Sequence, residues 1–183
     1  ELQSLIHHEF GVHALTTMNA LEQPLKVLRL GLPGNTYTQE GLAMLSEYKA
    51  GTLTLQRLRI LAMRVLAVHM MTEGKKFGTV YGYLKETHRC TAEEAFNITT
   101  RVFRGGGFTK DHLYLCGFRD MLKLYESRDI KALFIGKTSS LFLGTIDQLI
   151  ARGSLKPPKY LPPFFMKKKP ENPILDYIVN GIK

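Results

Sequence analysis

His7-His8-Glu9-Phe10-Gly11-Val12-His13 lies inside an apolar-periodic run from Leu2 to about Ala20, and the reading of that stretch decides the fold. Leu5, Ile6, Phe10, Leu15 and Met18 recur as the apolar positions of a first helix, so the imidazoles are read as helical. Gln39-Glu40-Gly41-Leu42-Ala43 adds a second carboxylate downstream. Two imidazoles, a carboxylate between them and another further on make up the inventory of a three-ligand catalytic zinc site with an open fourth position. The common zinc-peptidase pattern His-Glu-x-x-His sets its imidazoles one helical turn apart on one face. From His8 to His13 the interval is one residue longer, and an ordinary helix would hold the two roughly 140° apart. A π-bulge absorbs the extra residue, and Gly11 suits a locally deformed backbone. Pairing His7 with His13, six residues and about 120° apart, also misses a common face and would need two extra residues absorbed rather than one, which favours His8 and His13.

Outward from this stretch the chain reads as helix after helix. Pro24 and Gly31-Leu32-Pro33-Gly34-Asn35 enforce a loop. Thr38 reads as the N-cap of a helix running to about Lys49, with Glu40 in its first turn. Leu53 to about Thr72 is the most apolar long segment and is expected to be the central buried helix. Within it, His69, Met63, Met70 and Met71 read as core filler rather than ligands. Phe77 to Glu86 and Thr91 to Phe103 follow as amphipathic helices, the second opening on the capping box Thr91-x-x-Glu94. His88 and His112 fall at helix ends or exposed faces. Gly105-Gly106-Gly107 allows a sharp turn or close backbone approach to a ligand, and Thr109 is expected to cap a helix carrying Lys110, Asp111 and Tyr114. The lysine-serine or lysine-threonine ending of a phosphate-binding P-loop is absent from this glycine run.

Ile130 to Phe134 and Leu141 to Ile146 read as short strands or further helix, with Thr145 or Asp147 starting another short helix. Leu155 to Pro173 contains Pro157, Pro158, Pro162, Pro163, Pro170 and Pro173 and the run Lys167-Lys168-Lys169. It is expected to lie extended over the surface, anchored by Leu161, Phe164 and Phe165, before a terminal helix from Ile174 to Ile182. The fold class is therefore mainly α with at most minor β. The 183 residues, 44% of them hydrophobic, suit one helical domain or subdomain around one core. No run of 18 apolar residues provides a membrane span. Cys90 and Cys116 are too few for a disulfide framework and lack metal-ligand spacing, which points to a reducing compartment, the cytoplasm by default. A net charge of +9 attracts acidic partners. Nucleic-acid binding has no support beyond that charge, since no helix-turn-helix, zinc-finger or aromatic RNA-binding pattern is present.

His8-Glu9-x-x-x-His13 with Gln39-Glu40-Gly41-Leu42-Ala43 resembles the bacterial QEGLA-motif proteins and their animal relatives, the microtubule-associated tyrosine carboxypeptidases, which are zincin-like metallopeptidases. Leu30-Gly31-Leu32, Arg101-x-x-Arg104-Gly105 and Phe108-x-Lys110-Asp111-x-x-Tyr114-Leu115-x-Gly117 extend the resemblance to roughly residue 120. The animal branch tends to have an acidic residue where this chain has Gln39, so the local wording is that of the bacterial branch. The resemblance implies zinc held by His8, His13 and Glu40, with Glu9 as general base. The chemistry agrees, because a carboxylate within reach of a metal-activated water can take its proton. Under this reading Arg101, Arg104 and Lys110 are substrate-binding candidates, an Arg offering two-pronged recognition of a terminal carboxylate, and Tyr114 is a donor to the developing oxyanion. The implied activity is removal of a C-terminal residue, aromatic by the preference of the animal relatives, from a peptide or protein, and a basic cleft would suit an acidic tail. Zinc peptidases of this kind place a sheet before the ligand-bearing helix, so a chain starting seven residues before His8 is expected to be the C-terminal part of a longer metallopeptidase. The alternative is a non-catalytic regulatory or interaction protein that retains the metal-binding scaffold. Glu9 discriminates, because a purely structural zinc site needs ligands but no base.

Overall fold

The computed structural model describes residues 2–105 and 110–182, and among these residues there is helix and no strand, which bears out the mainly α reading. The first helical run has three parts in unbroken succession: α1 (Leu2–Leu5), a π-helix (Ile6–Ala14) and α2 (Leu15–Leu21). After a loop containing the short α3 (Val27–Leu30) comes α4 (Asn35–Lys49), followed by α5 (Leu55–Thr72), α6 (Phe77–Glu86), α7 (Ala92–Phe103) and α8 (Asp111–Ser127). Two 3₁₀ turns, Lys131–Ile135 and Ser140–Phe142, precede α9 (Leu143–Ala151), and a third, Pro163–Phe165, precedes α10 (Pro173–Ile182). Of the glycine run only Gly105, at φ 84°, belongs to the described residues. Gly106, Gly107, Phe108 and the expected Thr109 cap lie outside them.

The apolar residues counted for one core are shared between two compact units, Glu1–Leu53 with Cys116–Lys183, and Thr54–Leu115. In the first unit the central element is α4, in which every residue from Thr38 to Tyr48 is buried. This corrects the expectation that Leu53 to Thr72 forms the central helix. Counting apolar residues misses α4 because five of its buried positions, Thr38, Gln39, Glu40, Ser46 and Glu47, are polar. The helix also starts earlier than expected. Gly34, at φ 76°, precedes Asn35 and turns the chain in, so Glu40 sits in the second turn. Thr38 is inside the helix, where its hydroxyl accepts from the Ser140 backbone N–H at 2.9 Å instead of capping. Gly41 and Gly117 let α4 and α8 approach backbone to backbone, since a Cβ built on Gly41 would stand 2.4 Å from the Gly117 carbonyl oxygen.

Two side-chain amides of the first helical run fasten the proline-rich segment. Asn19, fully buried, donates to the carbonyls of Phe134 and Tyr160, both at 2.8 Å, and accepts from the N–H groups of Lys159 and Tyr160. Gln23 exchanges two bonds with the Lys156 backbone in the same way, at 2.9 and 3.0 Å. The segment carries the 3₁₀ turn Pro163–Phe165 and is anchored by Leu155 and Phe164, which are buried, with Leu161 and Phe165 only partly so.

The second unit packs Met63 and Ala67 of α5, Val80 and Leu84 of α6, Cys90, and Ala95, Ile98 and Val102 of α7 into one cluster. The Thr91/Glu94 capping box starts α7, as the local sequence predicts, and Thr54, one residue after the expected start at Leu53, caps α5. His69 is two-thirds exposed and pairs with Glu73 at 3.3 Å, so it is not core filler, whereas Met63 is.

Candidate metal centre

The π-helix is what makes a site out of His8 and His13. In an i→i+5 ladder residues five apart come onto one face, so the extra residue between the imidazoles is taken up over the whole of Ile6–Ala14 rather than in a single bulge. The two rings stand 5.1 Å apart at 74°. Gly11 serves the arrangement by its size: a Cβ there would meet Ser46 Oγ of α4 at 3.2 Å, and its φ is not in the left-handed region. Its expected role as a point of backbone deformation is therefore replaced by close packing of the π-helix on α4.

Glu40 projects from α4 toward both rings. His8 Nε2 lies 3.4 Å and His13 Nε2 lies 3.9 Å from Glu40 Oε2, and one ligand atom from each residue falls within 4.8 Å of the others. Tetrahedral zinc with bonds near 2.05 Å separates its ligand atoms by about 3.3 Å, so the His8–Glu40 separation already matches and His13 would have to close on the oxygen by about 0.6 Å. His7 has no place in this group.

The other ring nitrogens are engaged. His8 Nδ1 lies 2.7 Å from Glu47 Oε1, and Ser4 Oγ donates to the second oxygen of Glu47. His13 Nδ1 lies 3.4 Å from Gln39 Oε1, which also accepts from Thr16 Oγ1 at 2.9 Å. With both Nδ1 atoms turned to acceptors, both Nε2 atoms face Glu40 Oε2; in the neutral rings these are the atoms free to ligate an ion, the arrangement that metal-ligating histidines adopt. Burial pushes the His8 pKa down, but hydrogen bonds to Glu40 and Glu47 outweigh it and raise the pKa to about 9. For His13, burial dominates the attraction of Glu40 and the pKa falls below 6.5. Glu40 and Glu47 are both buried, and a buried carboxylate is costly unless a cation or strong donors compensate it. The donor set and its charge fit a divalent ion such as zinc.

Glu9, one residue from His8 in sequence, is exposed. With Phe10, His13, Ala14, Thr17 and Met18 it lines an open cavity of about 510 Å³. The ligand atoms are thus recessed while the adjacent carboxylate is reachable from solvent.

The remaining candidates belong to the Thr54–Leu115 unit. Arg101 makes a two-pronged pair with the buried Asp111, Nε to Oδ2 at 3.2 Å and Nη2 to Oδ1 at 2.8 Å, so its fork is already used within that unit. Arg104 is exposed at the C-terminus of α7, and Lys110 Nζ lies 5.6 Å from the centre of the Tyr114 ring. Sequence reasoning passed over Glu47, although its position seven residues after Glu40 puts the two on one face two turns apart. It also passed over Arg64, half-buried on α5, whose Nε has no hydrogen-bond acceptor among the described residues.

A sequence model of the family described as microtubule-associated tyrosine carboxypeptidase matches residues 1–183. A mouse (Mus musculus) protein provisionally named tyrosine carboxypeptidase MATCAP2 is 26% identical over 173 residues, covering 87% of this chain and 32% of its own length. The chain thus spans about a third of the curated relative it matches. No solved structure matches it. Among the described residues no helix is long and apolar enough to cross a membrane.

Proposed function

The chain belongs to the microtubule-associated tyrosine carboxypeptidase family over its whole length, and on that premise we propose that it carries the metal centre of a zinc-dependent carboxypeptidase. The reading rests on one observation above the others: the convergence of His8 Nε2, His13 Nε2 and Glu40 Oε2 on a common point. His8, His13 and Glu40 hold the ion. Zinc so held supplies Lewis acidity, polarising a carbonyl and lowering the pKa of water toward about 7. Glu9 takes the proton of the attacking water on its carboxylate and returns it to the departing amine, which its exposed position beside the ligands allows. The substrate is the C-terminus of a peptide or protein. An aromatic terminal residue follows the family's name, and an acidic tail suits the net charge of +9. On the family resemblance alone, Arg104 and Lys110 are candidates for a terminal carboxylate and Tyr114 for an oxyanion donor; all three belong to the Thr54–Leu115 unit. Arg101 acts by holding Asp111. Cys90 and Cys116 are free thiols, which agrees with a reducing compartment such as the cytoplasm.

The test is elemental analysis of protein purified without chelator, with peptides ending in tyrosine or phenylalanine as substrates. We expect about one zinc per chain in the wild type, loss of metal in Glu40→Ala, and full metal with at least a hundredfold lower turnover in Glu9→Gln. Folded wild type without metal would overturn the reading. Metal retained with no hydrolysis of any C-terminal residue would leave the scaffold as an interaction module.

A further inference from the structure

Glu47 is fully buried on α4, and both of its oxygens are occupied: Oε1 lies 2.7 Å from His8 Nδ1, and Oε2 accepts from Ser4 Oγ. Glu40 lies two turns earlier on the same face, with its Oε2 3.4 Å from His8 Nε2. The imidazole of His8 therefore spans two carboxylates on one helix. No comparable arrangement serves His13, whose Nδ1 meets the neutral amide oxygen of Gln39 at the longer distance of 3.4 Å.

We propose that Glu47 is the positioning residue of the metal centre: it holds His8 with hydrogen on Nδ1 and the lone pair of Nε2 aimed at the ion, and Ser4 in turn fixes the carboxylate. The proposal rests on the zinc reading of His8, His13 and Glu40. Two features argue for it. A carboxylate is acceptor-only when ionised, so at 2.7 Å it admits one orientation of the imidazole hydrogen, while an amide at the same place could donate and impose the opposite tautomer. Charge is the second feature. Neutral His8, neutral His13 and ionised Glu40 carry one negative charge, and Glu47 brings the buried site to two, the amount that a divalent cation neutralises. A carboxylate behind a ligating imidazole also raises its basicity, and loss of such a partner typically weakens metal binding about 10- to 100-fold.

Zinc affinity is read by competition with a chelating dye on the wild type, Glu47→Gln, Glu47→Asp and Ser4→Ala, each checked for helix content and unfolding midpoint. Glu47→Gln should weaken zinc binding about 10- to 100-fold. Ser4→Ala should weaken it severalfold at most, since the carboxylate stays in place. Long-range nitrogen-15 spectra of the zinc-loaded wild type should show His8 protonated at Nδ1, a readout that needs no variant and survives if Glu47→Gln fails to fold. Zinc affinity within about twofold of wild type in a folded Glu47→Gln, or His8 bound through Nδ1, would overturn the proposal while leaving the zinc site standing. A wild type that takes up no zinc would instead sink the metal reading on which it rests.

Discussion

Gly41 carries a hydrogen where any other residue would carry a Cβ atom, and that difference sets how closely two helices pack. A Cβ at this position would lie 2.4 Å from the carbonyl oxygen and 2.5 Å from the carbonyl carbon of Gly117, backbone atoms that have no rotamer to escape into. Gly41→Ala should therefore destabilise the protein by about 3 kcal/mol or more, the upper range of overpacking costs. Gly82 on α6 has nothing within 4 Å of the same construction, so Gly82→Ala should stabilise by about 0.5–1 kcal/mol through helix propensity alone. Chemical denaturation of both variants tests the pair, and equal effects would refute the close-approach account of Gly41. Asn19 works by the opposite means, through four hydrogen bonds to backbone groups. Asn19→Ala leaves the buried carbonyl of Phe134 and the partly buried backbone groups of Lys159 and Tyr160 without this partner and should cost about 1–3 kcal/mol. Faster hydrogen exchange at Lys159 and Tyr160 would mark the release of the segment. At this scale the candidate ligands were legible as candidates, because His8, His13 and Glu40 announce their chemistry by type and order. Asn19, Glu47 and Thr16 were not, since a polar residue within a helical run looks the same whether it faces water or a partner far along the chain.

Elements whose signals are local were readable. Thr91 accepts from the Glu94 N–H at 3.1 Å and Glu94 accepts from the Thr91 N–H at 3.0 Å, as the four-residue pattern predicts. Thr91→Ala should cost about 1 kcal/mol. The Thr91 backbone hydrogen bond, with Arg59 and Gln56, holds the Glu94 carboxyl below its ordinary value of 4.5. A depressed carboxylate contributes stability that is present above the unfolded value and lost as pH falls through the folded one. Wild type should accordingly exceed Glu94→Gln in stability at neutral pH, and the gap should close as the solution is acidified below about 4.5; a gap that persists in acid would count against an ionic origin. The π-helix was legible as a discrepancy in spacing, but its nine-residue extent was not. An i→i+5 ladder is poorer than an α-helix by itself and persists where tertiary contacts repay it, here with Ser46 and Glu40 of α4. Of the two readings of Ile130 to Phe134 and Leu141 to Ile146, short strands or further helix, the helical one holds, as the 3₁₀ turns Lys131–Ile135 and Ser140–Phe142 and the helix Leu143–Ala151.

At the scale of the whole molecule, the candidate ligands and the Ser4, Thr16, Gln39 and Glu47 side chains bonded around them come from the Glu1–Leu53 and Cys116–Lys183 unit, while α5 to α7 have a core of their own. A metal that binds only the folded state stabilises it by RT ln(1 + [L]/Kd), about 4 kcal/mol at a thousandfold excess over Kd. Zinc added to chelator-stripped protein should raise the unfolding midpoint and slow hydrogen exchange in Ile6–Ala14 and Asn35–Lys49, with little change in the Met63 to Val102 core. Equal slowing in both units would contradict a site confined to the first. The sequence by itself determined the mainly α class, the helix start at Thr91 and the choice of three candidate ligands. Each of these depends on groups within one or two helical turns, or on side-chain chemistry that holds in any surroundings. Only the tertiary structure decided that the polar helix α4, and not the apolar α5, is the buried centre, that the backbone of Ile6–Ala14 adopts a π ladder, and that Glu47 stands behind His8. These depend on the packing of segments distant in sequence, where burial of a charged or amide group is favourable only once its partner is in place.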